Sequence, residues 1–270
     1  MIKVFKNIRK TLLAEGKTGK YLKYAIGEII LVVIGILIAL QINDWSSQKK
    51  RNQLETILLS EISAEIDKVY QDATQDLKLL KFGQRSYGRI MKYVRQNASY
   101  ADSMKMDFYW LIRDEYIYPK EAVYGKIKQE GVDIIRNDSI KMLIQDLYES
   151  HFPRIKINNT YYPNLEHFFY PYYQDHFIPN MEIDKEDSLM SSNHKMIKLP
   201  RKLIDISGDT IAYNLGFIPK NFDLLKKDGK FLMLLEESNR ARNYKIGSYS
   251  LTISQIEKVQ ELIKKELSND

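Results

Sequence analysis

The chain has 270 residues and no cysteine, which leaves no disulfide framework, thiolate metal site or cysteine nucleophile. Its formal charge of +6 sits at one end, because residues 1–24 hold seven lysines and arginines against Glu15 and the remainder balances at 34 basic and 34 acidic residues. The basicity is therefore a tail ahead of an apolar run, not a field spread over a domain, and nucleic acid is excluded as a partner.

In that tail, Val4, Phe5, Ile8 and Leu12 fall on one face and Lys3, Lys6, Arg9 and Lys10 largely on the other. The spacing describes a short basic amphipathic helix in the headgroup region over residues 2–13, within a basic cytoplasmic tail over 1–23 that Gly16 to Gly19 break before Tyr21, with a disordered topogenic tail as the alternative. Between Glu28 and Gln41 no residue is charged, polar or proline. Tyr24 to Ile42 would span about 28 Å as a helix, close to the hydrocarbon thickness of a bilayer. Tyr21, Tyr24 and Trp45 flank it where amphipathic rings favour the headgroup level. This predicts one transmembrane helix over 24–43. A cleaved signal peptide is disfavoured, since Gln41-Ile-Asn-Asp-Trp45 stands where a small-residue cleavage site belongs. Glu28, Gly35 and Ala39 share one helical face, and the small pair lets a second helix approach closely. An ionisable group in a span is a functional hypothesis by default; the alternative is that Glu28 reaches the interface beside Lys20 or Lys23.

The run Tyr21-Leu-x-Tyr-Ala-Ile-Gly-Glu28, continued through Gly35 to Gln41-Ile-Asn43-x-Trp45, resembles the N-terminal signature of an uncharacterised family of bacterial single-pass membrane proteins, a domain-of-unknown-function family known mainly from Bacteroidota. The likeness is tight over residues 1–60 and looser through Tyr124–Ile140 and Ile144–Glu149. It implies an envelope location and a mostly helical domain, and it brings no catalytic residues.

Beyond Trp45 the pattern is helical. Leu54, Leu58, Ile62, Ile66, Val69, Ala73, Leu77 and Leu80 recur every three or four residues, predicting a helix to Lys81 or beyond, continued over 85–96. Ile57 and Leu59 widen the stripe and Ala73 narrows it, which favours an intramolecular bundle over a strict coiled coil. Met104–Tyr118 reads as a helix ended by Pro119, then Glu121–Glu130 with Gly131 as its C-terminal cap. Asn137-Asp-Ser139 reads as the N-cap of a helix over 140–150 that Pro153 closes. Residues 155–177 are crowded with aromatics, and 180–218 are irregular, with extended stretches or short strands at 196–199 and 203–206. Helices return at 222–226, 230–241 and 252–267. The fold class is all-α: an N-terminal transmembrane helix followed by a bundle-like domain over 44–270, with no internal repeat.

No catalytic motif is complete. Gly83-x-x-x-x-Gly88 has phosphate-loop spacing but is followed by Arg89-Ile90 and lies in a helical pattern. Ser192-x-x-Lys195, Ser191-Ser-Asn193 and Lys17-Thr-Gly19 mimic penicillin-binding motifs, but lie on opposite sides of the span or overlap. The four histidines show no metal spacing, and Glu166, His167, Asp175 and His176 form the one carboxylate–imidazole cluster. Tyr161, Tyr162, His167, Tyr170, Tyr173 and His176 are either core or the lining of a ligand pocket. The expectation is a non-enzymatic, membrane-anchored envelope protein without cofactor, an accessory or scaffold subunit. Its N-terminus is cytoplasmic, its domain periplasmic at the inner membrane, and its partners are the bilayer and a second copy or another membrane protein. With about 24 residues before the span, no output domain precedes it. The alternative is a periplasmic ligand-binding or sensing module built on the aromatic cluster, and a distant third is a hydrolase.

Overall fold

From Thr18 to Arg95 no proline interrupts the chain, and these 78 residues form a single helix, α1, about 115 Å long at ~1.5 Å per residue. The structure is a computed structural model that describes residues 18–180 and 216–269. The amphipathic tail expected at 2–13, His194 and the stretches at 196–199 and 203–206 lie outside the described residues. The first part of α1 carries the apolar run, which is long and apolar enough to cross a membrane and is not buried against any part of the described chain. The helix then continues past exposed Trp45 with no change of geometry, and its first fully buried side chain is Glu55, about 20 Å beyond Ile42. It ends where Asn97 turns to φ +46° and the Ala98 amide bonds back to the Tyr93 carbonyl at 3.0 Å, a left-handed cap that satisfies orphan carbonyls.

The remaining elements are α2 (Met104–Ile112), α3 (Ala122–Glu130) and a 3₁₀ turn (Val132–Ile134). Next, α4 starts as Asp138–Asp146, widens into π geometry at Leu147–His151 and closes with one α turn at Phe152–Ile155. Then come α5 (Leu165–His176), strands β1 (Phe177–Pro179) and β2 (Phe217–Pro219), α6 (Phe222–Leu225) and α7 (Gly229–Asn269). The described chain is overwhelmingly helical.

The organising contact is between α1 and α7, which run antiparallel. Tyr70 Oη donates to Glu257 at 2.9 Å, Tyr249 Oη to Asp76 at 2.9 Å and Tyr87 Oη to Glu236 at 2.8 Å. Along α1 the buried positions 55, 59, 62, 66, 69, 73, 76, 80 and 83 alternate steps of four and three, as do 235, 238, 242, 245, 249, 252, 256, 259 and 263 along α7. The seam thus has the spacing of a coiled coil, and Ile57, which widens the stripe in sequence, is 55% exposed. The bundle is intramolecular, as expected, but its seam is more regular than the apolar residues alone suggest because several seam positions are polar.

Short helices cover this pair at two places. Near the apolar run, α3, the 3₁₀ turn and α4 pack on Leu58–Leu80 and on Ile256, Val259 and Ile263, forming a near core. Farther along, α2, α5, β1 and α6 pack around Ile90, Phe231 and Leu235, forming a far core rich in aromatics. Each fully buried leucine, isoleucine or phenylalanine contributes about 1.5–3 kcal/mol of transfer free energy.

Local expectations fare unevenly, for identifiable reasons. Asn137 caps α4, its Oδ1 accepting from Ser139 N at 3.1 Å and Ile140 N at 3.3 Å, and Gly131 follows α3 with φ +88°. The helix expected over 104–118 stops at Ile112 and the chain then turns extended, because the carbonyls that would continue it are taken by Arg242. Pro153 does not close α4. The helix widens into π geometry just before it and runs on through it for one more turn, to Ile155. The helices expected at 230–241 and 252–267 are one 41-residue helix. The antiparallel ribbon was not foreseen; it pairs Phe177-Ile-Pro179 with Phe217-Ile-Pro219 in register Ile178↔Ile218, a repeated tripeptide that was legible.

Candidate functional site

Between the two cores the seam turns polar. Arg242, Lys245 and Tyr249, at i, i+3 and i+7, present one face of α7 to Gly83 and Asp76 on α1 and to the extended segment Arg113–Tyr118. All three α7 side chains are essentially buried.

Arg242 terminates α2. Its Nη1 donates to the Trp110 carbonyl at 3.0 Å, and its Nη2 to the Leu111 and Arg113 carbonyls at 2.9 and 3.0 Å. A cation at the carbonyl end of a helix satisfies orphan acceptors and meets the negative end of the dipole. The guanidinium reaches them by lying over Gly83, where an added Cβ would fall 1.2 Å from Nη1 and 2.7 Å from the Trp110 carbonyl oxygen. Gly83 is thus a notch in α1 rather than part of a phosphate loop. Burial lowers the Arg242 pKa to about 10, opposed by Asp114 and Glu115, so it stays charged near neutrality.

Lys245 donates to Asp114 Oδ1 at 2.6 Å and stands 3.5 Å over the Tyr116 ring. Asp114 also accepts from the Glu115 amide at 3.0 Å and from Tyr116 Oη at 2.8 Å. Burial holds the Lys245 pKa below its usual value, with Asp114 opposing. Glu115 is raised by burial and restrained by Arg113, whose Nε donates to it at 2.7 Å.

Asp76 differs from both. Its Oδ2 accepts from Tyr249 Oη at 2.9 Å, and among the described residues no cation is hydrogen-bonded to it. Burial and then the nearby Asp72 push its pKa up to about 7, with Glu115 adding to the rise, while the Tyr249 bond and the Lys245 charge work the other way. Tyr249 is itself raised far above the usual phenol range by burial and by Asp76. Chemically the layer fixes the register of two long helices, as polar seam residues do, and can hold one exchangeable proton near neutral pH. Among the described residues, no three His, Asp or Glu side chains gather closely enough to hold a metal ion.

The six aromatic and histidine positions read as a ligand pocket are dispersed. Tyr173 is in the far core, its hydroxyl donating to the Phe108 carbonyl at 3.0 Å. Tyr162 bonds Ser248 at 2.7 Å and packs on Tyr244, while Tyr161 and Tyr170 are exposed. His167 lies on the outer face of α5, as does Glu166. His176 stacks on Tyr172 at 4.0 Å between ring centres, and Tyr172 donates to Asp228. On α1, Gly35 and Ala39 are exposed along the apolar run, with nothing within 4 Å of a Cβ placed on Gly35, and Glu28 is half-buried. Of the polar layer only Gly83 stands out in the sequence, and there as a phosphate-loop spacing rather than as a notch for Arg242.

A protein-family model, described as a family of unknown function (DUF6090), matches residues 28–168, slightly more than half of the chain. The chain belongs to this family. The DUF6090 match starts within the apolar run and takes in Asp76, Gly83, Asp114 and Glu115, whereas Arg242, Lys245 and Tyr249 lie beyond it. No curated protein and no solved structure matches the chain.

Proposed function

We propose that this DUF6090 protein is a non-enzymatic, membrane-anchored accessory or scaffold subunit of the bacterial envelope, of the type found in Bacteroidota. Its N-terminus is cytoplasmic and its helical domain periplasmic at the inner membrane. The observation that carries the reading is the continuity of α1, in which the apolar run and the first helix of the domain are one rod without hinge or linker. A tether for a freely diffusing domain needs no such stiffness; a helix that sets a domain at a fixed height above a bilayer does. The excess of basic residues before the run supports the orientation. The partner is a second copy or another membrane protein, met through the Glu28–Gly35–Ala39 face, where small residues allow close backbone approach.

The test is a phosphatase reporter fused after Asp270 together with crosslinking of the tagged full chain in native membranes. An active reporter and a discrete crosslinked species are expected. Activity only from a cytoplasmic reporter would reverse the orientation, and a chain that crosslinks to nothing would remove the scaffold reading.

A further inference from the structure

We propose that Asp76 and Tyr249 form a proton-gated latch in the α1–α7 seam. With Asp76 protonated, carboxyl and phenol meet across the seam as a neutral pair. With the proton lost, the seam carries a buried carboxylate to which no cation is bonded, and it opens locally between the two cores.

Each charged group facing this part of the seam has an assigned partner. From α7, Arg242 directs its guanidinium to the Trp110, Leu111 and Arg113 carbonyls, and Lys245 is bonded to Asp114. From the extended segment, Asp114 also accepts from Tyr116, and Glu115 is bonded to Arg113. From α1, Asp72 lies one turn before Asp76, is exposed, and adds a second negative charge. Asp76 itself is 6% exposed and accepts from a phenol. Of the layer's buried carboxylates it is the one without a bonded cation among the described residues: Lys245 acts on it through space and favours its charged form, but gives its hydrogen bond to Asp114. A buried carboxylate with no bonded cation is disfavoured, and burial together with the Asp72 and Glu115 charges outweighs Tyr249 and Lys245 here, so the group takes up a proton more readily than a solvated one. The loss of that proton therefore acts on the contact between the longest helices, where the seam position between Ala73 and Leu80 is filled by a carboxylate facing a phenol.

The test is hydrogen exchange on the full chain in detergent micelles, read for amides at 73–80 and 245–252 and corrected for the intrinsic pH dependence of exchange. Between about pH 5.5 and about pH 8.5 the parent should lose protection there by about tenfold or more, with the midpoint near the titration of Asp76. Asp76→Asn should hold its protection constant across that range. Tyr249→Phe removes the bond that favours the charged form, so its midpoint should move to higher pH, which a packing role alone would not produce. A parent profile that is flat after correction, an Asp76→Asn profile that follows the parent, or a Tyr249→Phe midpoint that stays or falls would each overturn the latch.

Discussion

Gly83→Ala is the sharpest probe of the polar layer, and Gly88→Ala on the same helix is its control. Glycine to alanine within a helix ordinarily stabilises by about 1 kcal/mol. At Gly88 nothing lies within 4 Å of the added methyl, so that gain should appear nearly whole. At Gly83 the methyl would overlap Arg242 Nη1 at 1.2 Å and Cζ at 2.3 Å, and would also press on the Trp110 carbonyl oxygen at 2.7 Å. Arg242 must withdraw, and it is 2% exposed with no route to solvent that keeps its three carbonyl bonds. Bonds from a charged donor are worth about 1.5–3 kcal/mol each, so losing two of the three costs about 3–6 kcal/mol. Setting the propensity gain against this leaves Gly83→Ala less stable by about 2–5 kcal/mol. Urea unfolding of the full chain in micelles, followed by Trp110 emission in a Trp45→Phe background, reads both variants. If Gly83→Ala unfolds at the same or higher urea than its parent, as Gly88→Ala should, Arg242 does not occupy the notch and the account of the layer fails.

Three further outcomes are expected. Because the Asp76 pKa is raised from 3.8 to about 7 in the folded chain, its stabilising contribution is complete below pH ~4 and is lost as pH rises through about 7, a decline of up to about 4 kcal/mol. Equilibrium unfolding at several pH values should show Asp76→Asn without that decline. Asn137→Ala removes the α4 cap and the bond from Asn137 Nδ2 to Glu266 at 2.8 Å, and should cost about 1–2 kcal/mol in the same unfolding assay. In native membranes Gly35→Leu should weaken crosslinking while leaving insertion intact, and Glu28→Gln should weaken it less than Glu28→Leu; three variants that crosslink like the parent would reduce the span to an anchor.

The apolar run, the helical character of the domain, the Asn137 cap and the Gly131 terminator were all legible, because each depends on neighbours within a turn or two. What escaped the sequence depends on contacts made at long range. Arg242 ends α2 from 129–132 residues away, and nothing near Ile112 announces that stop except Pro119, which lies too far on. The layer itself was hidden by the habit of tracing apolar residues: Ala73 and Leu80 mark the stripe on α1, and Asp76 between them has the correct spacing but the wrong chemistry. Reading position before polarity would have found Arg242, Lys245 and Tyr249 in step with Leu235 and Ile256. The aromatic cluster misled in the opposite sense. Its sequence density reflects α5, whose Phe169, Tyr172 and Tyr173 face the far core while Tyr170 faces outward.

The unbroken passage of α1 from Ile42 to Glu55 also makes the connecting stretch a phase element. Each residue added there turns everything beyond it by about 100° and raises it by about 1.5 Å. One inserted residue would swing the flank bearing α3 and α4 more than a quarter circle away from whatever it faces beside the span. Seven inserted residues would bring it back to within about 20° and lift it by about 10 Å. If the domain works against a neighbour fixed in the bilayer, stalk length is free to change in whole pairs of turns and not in single residues. Its azimuth, more than its reach, is then what the helix encodes.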